Sequence, residues 1–127
     1  VIEELTQILW RASEGRQVCR IKLAGEFLER VIHPYGIYLS TRNQIMLACW
    51  QVMGFTKAGG KPGYRNLVLL DIENIEVLER HFFIRDDFNP KDGQYKEWYI
   101  IFSGCREETA VRYSLLIESR QTQKTKT

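Results

Sequence analysis

Ile2, Leu5, Ile8, Leu9 and Ala12 recur at the three-to-four-residue interval of one helix face, and Glu3 and Glu4 fall in its first turn. That spacing predicts an amphipathic helix over 2–13, with Gly15 as the stop. The period then changes to two. Cys19, Ile21 and Leu23 alternate with Arg20 and Lys22, the pattern of a half-buried strand. Ala24-Gly25-Glu26 is turn-like, and Phe27 to Ile32 predicts the second arm of a hairpin. His33-Pro34-Tyr35-Gly36 is expected to interrupt it, because Pro donates nothing to a ladder and Gly accepts unusual dihedrals. A strand resumes over Ile37 to Leu39, Ser40 to Asn43 turns, and Ile45 to Val52 reads as a largely buried strand.

Gly54 to Gly63 is a glycine-rich, basic loop. Tyr64 to Leu70 predicts the next strand, and Ile72, Ile75 and Val77 a further short element. Phe82 and Phe83 are expected to close the core, residues 86–93 to form a loop, Gln94 to Trp98 a helical turn, and Trp98 to Phe102 a last strand. Beyond these, Val111, Tyr113, Leu115 and Ile117 alternate like a strand, although Val111 and Leu115 also share a helical face. Residues 119–127 are polar and low in complexity, and disorder is predicted there. Several short strands behind one helix predict a mainly β fold over 1–102, a small, strongly bent β-barrel with mostly antiparallel pairing, followed by a C-terminal extension over 103–127. The absence of alternating βα units excludes a doubly wound sheet.

The chain's 127 residues, 44% hydrophobic and 27% charged, suit one globular domain. No apolar run approaches the roughly 20 residues of a membrane span, so no membrane partner is expected. The net charge of +2 is unevenly placed: residues 1–65 carry +4, residues 66–102 carry −4 and residues 103–127 carry +2. Cys19, Cys49 and Cys105 are odd in number and lack the spacing of a metal clip or redox pair. With Val1-Ile2-Glu3-Glu4 acidic where a signal peptide is basic, they suggest reduced thiols in a cytoplasmic protein.

The glycine loop invites comparison with a phosphate-cradling P-loop. Gly54 and Gly59 have the right separation, but Gly60 stands where Lys is required, Pro62 follows Lys61, and the segment lies between strands. What stays open is a loop whose amides touch an anion with Lys57 and Lys61, or a plain surface loop. His33 and His81 are the chain's two histidines, too few for a three-His zinc site, and nucleophile motifs are missing. Asp86 and Asp87 would point to opposite sides if extended, which suits a solvated loop better than an acid/base pair. The sequence therefore implies no enzyme, no catalytic residues, no cofactor and no metal. Arg20, Lys22, Arg30 and Arg65 lie on predicted strands, and a curled sheet would bring them toward His33 and Tyr35. Arg offers a planar fork for phosphate and Tyr a ring for a base, with an ordinary solvated strand face as the alternative.

Over residues 5–102 the sequence resembles the WYL-domain family. The resemblance rests on Arg30 to Ile37 with Pro34-Tyr35-Gly36, on Ile45 to Trp50 where the Trp-Tyr-Leu strand would fall, and on Tyr64 to Leu69 as an Arg-x-Phe-x-Leu strand. Ile72, Ile75 to Leu78, Phe82-Phe83 and Asp87 to Pro90 follow in order; Leu9 to Ala12 and Arg16 to Leu23 stand upstream. The Trp-Tyr-Leu triplet itself is not present, and Asp71 stands near where the family often has Arg. The resemblance implies an SH3-like, Sm-like β-barrel that senses a nucleic acid or nucleotide-like anion and regulates transcription or phage defence, with Arg30, Tyr35 and Arg65 carried over as ligand-binding residues. Arg20, Lys22 and His33 join them from strand geometry. The expected partner is a single-stranded nucleic acid or nucleotide-like ligand. The alternative is a protein-interaction or homodimerisation barrel with no small ligand. No winged helix-turn-helix is legible in this sequence.

Overall fold

The computed structural model describes residues 2–54 and 60–101. Helix α1 (Ile2–Glu14) runs one residue past its predicted end. The left-handed backbone after it belongs to Arg16 (φ 54°), not to Gly15, and Gly15 N–H closes the last turn on Arg11 O at 2.9 Å. Six strands follow: β1 (Gln17–Leu23), β2 (Arg30–Ser40), β3 (Ile45–Met53), β4 (Gly63–Val68), β5 (Ile72–His81) and β6 (Tyr95–Ile101), with a 3₁₀ turn at Leu69–Asp71 between β4 and β5. The fold is mainly β and its strand pairs are antiparallel, in the order β4-β3-β2-β1-β5 with β6 added to β2. Among the described residues the sheet does not close on itself.

Several local expectations are corrected. The second strand begins at Arg30, because Phe27 and Leu28 point into solvent. His33 to Gly36 does not interrupt it: β2 continues through the Pro, absorbing the misfit as a bulge between Pro34 and Gly36. The strand from Tyr64 stops at Val68, where the 3₁₀ turn takes Leu69. The short element after it is a ten-residue strand paired along β1, and Gln94 to Trp98 holds no helical turn, since β6 starts at Tyr95. Phe82 is buried, but Phe83 is 94% exposed. The expected extension over 103–127, including Cys105, lies outside the described residues.

β2 organises the rest. On one edge it pairs with β3 along most of its length. On the other it pairs with β1 at Arg30 to Ile32 and then with β6 at Gly36 to Ser40. The bulge lies between the two ladders on that edge. Gly36 is needed because β6 passes so close that a Cβ would come within 2.2 Å of Ile100 O and 2.9 Å of Trp98 Cζ3. Leu9 and Ala12 of α1 join Cys19, Ile21, Ile32, Ile37, Leu47 and Cys49 in the buried core. Burial pushes the Cys19 and Cys49 thiols up to about 12, so both remain neutral, as small hydrophobes. Among the described residues no helix is long and apolar enough to cross a membrane.

Gly36→Ala should lower stability by about 1–3 kcal/mol, because β6 must shift to admit the methyl group. Urea unfolding followed by circular dichroism measures this; an unchanged midpoint would refute the close approach.

Candidate functional site

Residues opposed in an antiparallel ladder project to the same side of the sheet, and neighbours in one strand project to opposite sides. The pairs Ile21–Arg30, Ile32–Gln51 and Cys49–Arg65 therefore set Arg30, Gln51, Cys49 and Arg65 on one face, across β2, β3 and β4. The pairs Arg20–Val31, His33–Trp50 and Trp50–Tyr64 set Arg20, His33, Trp50 and Tyr64 on the other.

Of the predicted site residues, the fold brings Arg30 and Arg65 to one face and sets Lys61 beside Arg65. Both guanidinium charges act on the Cys49 thiol between them, pulling against the burial that raises it. Their roles differ. Arg30 donates from Nε and Nη2 to the two carboxylate oxygens of Glu26 at 3.0 and 2.7 Å, and from Nη1 to Gln51 Oε1 at 2.9 Å. Its side chain is 13% exposed and that of Glu26 23%, so this forked pair is largely withdrawn from water, and it satisfies the buried Gln51 amide oxygen. Arg30 is a clamp that ties the β1–β2 loop to the sheet.

Arg65 is held differently. Nη1 and Nη2 donate to the carbonyl oxygens of Tyr64 and Lys61, each at 2.9 Å. Gly63 makes room: a Cβ there would lie 2.8 Å from Nη1. Among the described residues no carboxylate pairs with Arg65. The main chain orients the guanidinium without neutralising it, and Nε–H with two further N–H groups remains for an incoming acceptor.

The other predicted residues lie elsewhere. Strand alternation carries Arg20 and Lys22 to the opposite face, where they pair with Glu76 at 2.7 Å and Glu73 at 2.8 Å on β5. His33 stacks on Phe82, with centroids 4.5 Å apart and planes 7° from parallel; burial, then the nearby Arg80 charge, lowers its pKa. The expected convergence of His33 with Arg30 and Arg65 thus fails because His33 stands three positions from Arg30 along one strand, and an odd offset puts the two on opposite faces. Tyr35 is fully buried, so it offers no ring to a ligand. It packs among Phe82, Phe88 and Tyr64 on the His33 side of the sheet, and its hydroxyl accepts the Arg85 N–H at 3.1 Å. Lys57 lies outside the described residues. Among the described residues no three His, Cys, Asp or Glu side chains gather where a metal ion could be held.

Sequence reasoning passed over a second cluster: Trp50, Tyr64, Arg85 and Asp87. Asp87 is not a free loop carboxylate. It accepts from Arg85 and from the Tyr64 hydroxyl, and these bonds hold its carboxyl below the usual range. The available signal was the register of β3 on β4, which puts Trp50 opposite Tyr64. Comparison of the chain with family models, curated proteins and solved structures found no match.

His33 yields a pH prediction. The fold disfavours its imidazolium, so the unfolded chain binds the proton more readily near the ordinary pKa of 6.5. The stability is full above that value, falls as pH drops through it, and levels off below the lowered folded-state pKa. Urea midpoints should therefore be lower at about pH 5.5 than at about pH 7.5, with a smaller difference in His33→Gln. An equal difference in both proteins would refute the assignment.

Proposed function

We propose that this chain is a non-catalytic ligand-sensing module of the WYL-like, Sm-like kind. Its ligand is a single-stranded nucleic acid or nucleotide-like anion, and its role is in controlling transcription or phage defence. The observation that carries this reading is Arg65: a guanidinium aimed by two main-chain carbonyls, left uncompensated by carboxylate among the described residues, with Lys61 beside it and Arg30 on the same face. A cation held this way already has its orientation fixed before a phosphate arrives, which lowers the ordering cost of binding. Arg30, committed to Glu26 and Gln51, is left out of the ligand contacts in this reading. Arg20, Lys22, His33 and Tyr35 are left out of this reading by their positions.

A second reading is an interaction or dimerisation barrel without a small ligand. It draws on β5, ten residues long and paired, among the described residues, along one edge alone. Light scattering on the full chain tests it: a dimer at micromolar concentration supports this reading, and a monomer removes it.

Fluorescence anisotropy with labelled single-stranded DNA and RNA tests the first reading. Affinity should fall steeply between roughly 50 and 200 mM salt. Lys61→Ala combined with Arg65→Ala should weaken binding about equally for all sequences and reduce the logarithmic salt slope by about two. Absence of binding at low salt, or a double variant that binds as the parent does, would overturn it.

A further inference from the structure

On the face opposite Arg30, the guanidinium of Arg85 lies over the Trp50 ring, its Cζ 3.9 Å from the centroid. Tyr64 stands beside that ring as a wall, centroids 4.9 Å apart and planes at 84°. Asp87 holds the group in place. Oδ1 accepts from the Tyr64 hydroxyl and from Arg85 Nε at 3.1 Å, and Oδ2 accepts from Nη2 at 3.3 Å. Trp50 thus presents a ring face that already takes a flat, delocalised group, in a corner formed by a second aromatic ring.

The occupant is loosely kept. The side chains of Arg85 and Asp87 are 44% and 58% exposed, and an ion pair so open to water holds weakly. The backbone beneath is fixed independently, by Arg85 N–H on the buried Tyr35 hydroxyl and by Phe82 and Phe88 packed against that same ring. The guanidinium can therefore leave Trp50 by side-chain rotation, with the loop staying where it is.

The corner also adjoins the cationic site. Tyr64 and Arg65 are consecutive, so their side chains project to opposite sides of β4. β4 is the last strand on its side of the sheet, paired with β3 alone among the described residues. A polymer laid along that edge meets Arg65 from one side and the Tyr64–Trp50 corner from the other. We infer that a nucleobase stacks on Trp50 in place of the Arg85 guanidinium, walled by Tyr64, while phosphates of the same strand lie against Lys61 and Arg65. This rests on the anion reading above and deepens it: the ligand is an unpaired strand, because a base within a duplex is already stacked and cannot turn onto an aromatic ring without leaving its pair.

The test compares a labelled oligo-deoxyadenylate with an abasic oligomer of the same length and phosphate count, on the full chain at low salt. The intact strand should bind roughly fivefold or more tightly than the abasic one, the range of one base–aromatic stack. Arg85→Ala should keep that ratio, and Trp50→Leu should remove most of it. Because Trp50→Leu also touches the fold, the indole N–H resonance of Trp50 in the unaltered chain gives a second readout: intact strand should move it, and abasic strand should not. Equal affinities for the two oligomers, or a ratio that survives in folded Trp50→Leu, would overturn the stacking site while leaving the anion reading in place. Failure of both oligomers to bind would overturn both.

Discussion

One strand has to serve two partners on a single edge, and the rest of the architecture follows from how β2 manages it. Its first residues pair with β1 and its last with β6, while β3 runs along the other side throughout. A regular strand would give β1 and β6 one continuous flat edge. The bulge at Pro34–Gly36 breaks that edge, and bulges locally increase bend and twist. It also places a residue without a Cβ where β6 crosses, while Tyr35 keeps to the aromatic side with His33. Tyr35 then gathers Phe82 and Phe88 and binds the Arg85 amide, which lays residues 82–88 across that side. A proline that donates no hydrogen bond is thus compatible with the middle of this sheet, because it stands at the break between two ladders.

The same alternation that builds the sheet divides the charges. Arg20 and Lys22 are matched by Glu76 and Glu73 across the β1–β5 ladder, an arrangement that neutralises one flank. Arg30 is matched by Glu26 and committed to holding a buried amide. At the far end of the sheet stand Arg65 on β4 and Lys61 just before it, without such acidic matches among the described residues, Arg65 steered instead by carbonyl dipoles. The modest net charge of the chain therefore conceals a gradient across the sheet order, acidic residues gathered on β5 and free cationic character on β4.

The elements with a clear period were legible. α1 announces itself through Leu5, Ile8, Leu9 and Ala12, and β1 through Cys19, Ile21 and Leu23. Where local signals misled, pairing was the reason. Ile72, Ile75 and Leu78 recur every three residues, a spacing that suits a helix face better than strand alternation, yet the β1 ladder draws the whole segment into β5. Tyr95 to Trp98 reads as a turn locally and becomes strand because Tyr38 to Ser40 offers partners. Of the site, the strand positions of Arg30 and Arg65 could be read, and so could their shared side, given the register. Which cation would be consumed could not, since Glu26 and Gln51 are set against Arg30 by the geometry of the β1–β2 loop. Tyr35 was misread as a ligand residue because residues 82–88 cover its ring, a long-range contact that no local pattern in the sequence announces.

Cys19 and Cys49 carry a practical consequence. Each is buried within a different strand, one on β1 and one on β3, and each is held as an unreactive neutral thiol. A thiolate must form before an alkylating reagent can attack, so neither sulfur reacts until the sheet around it opens. The labelling rates at these two positions are therefore separate clocks for local opening on the two sides of β2, and the ratio of those rates tells whether the flank bearing the helix or the flank bearing β4 gives way first.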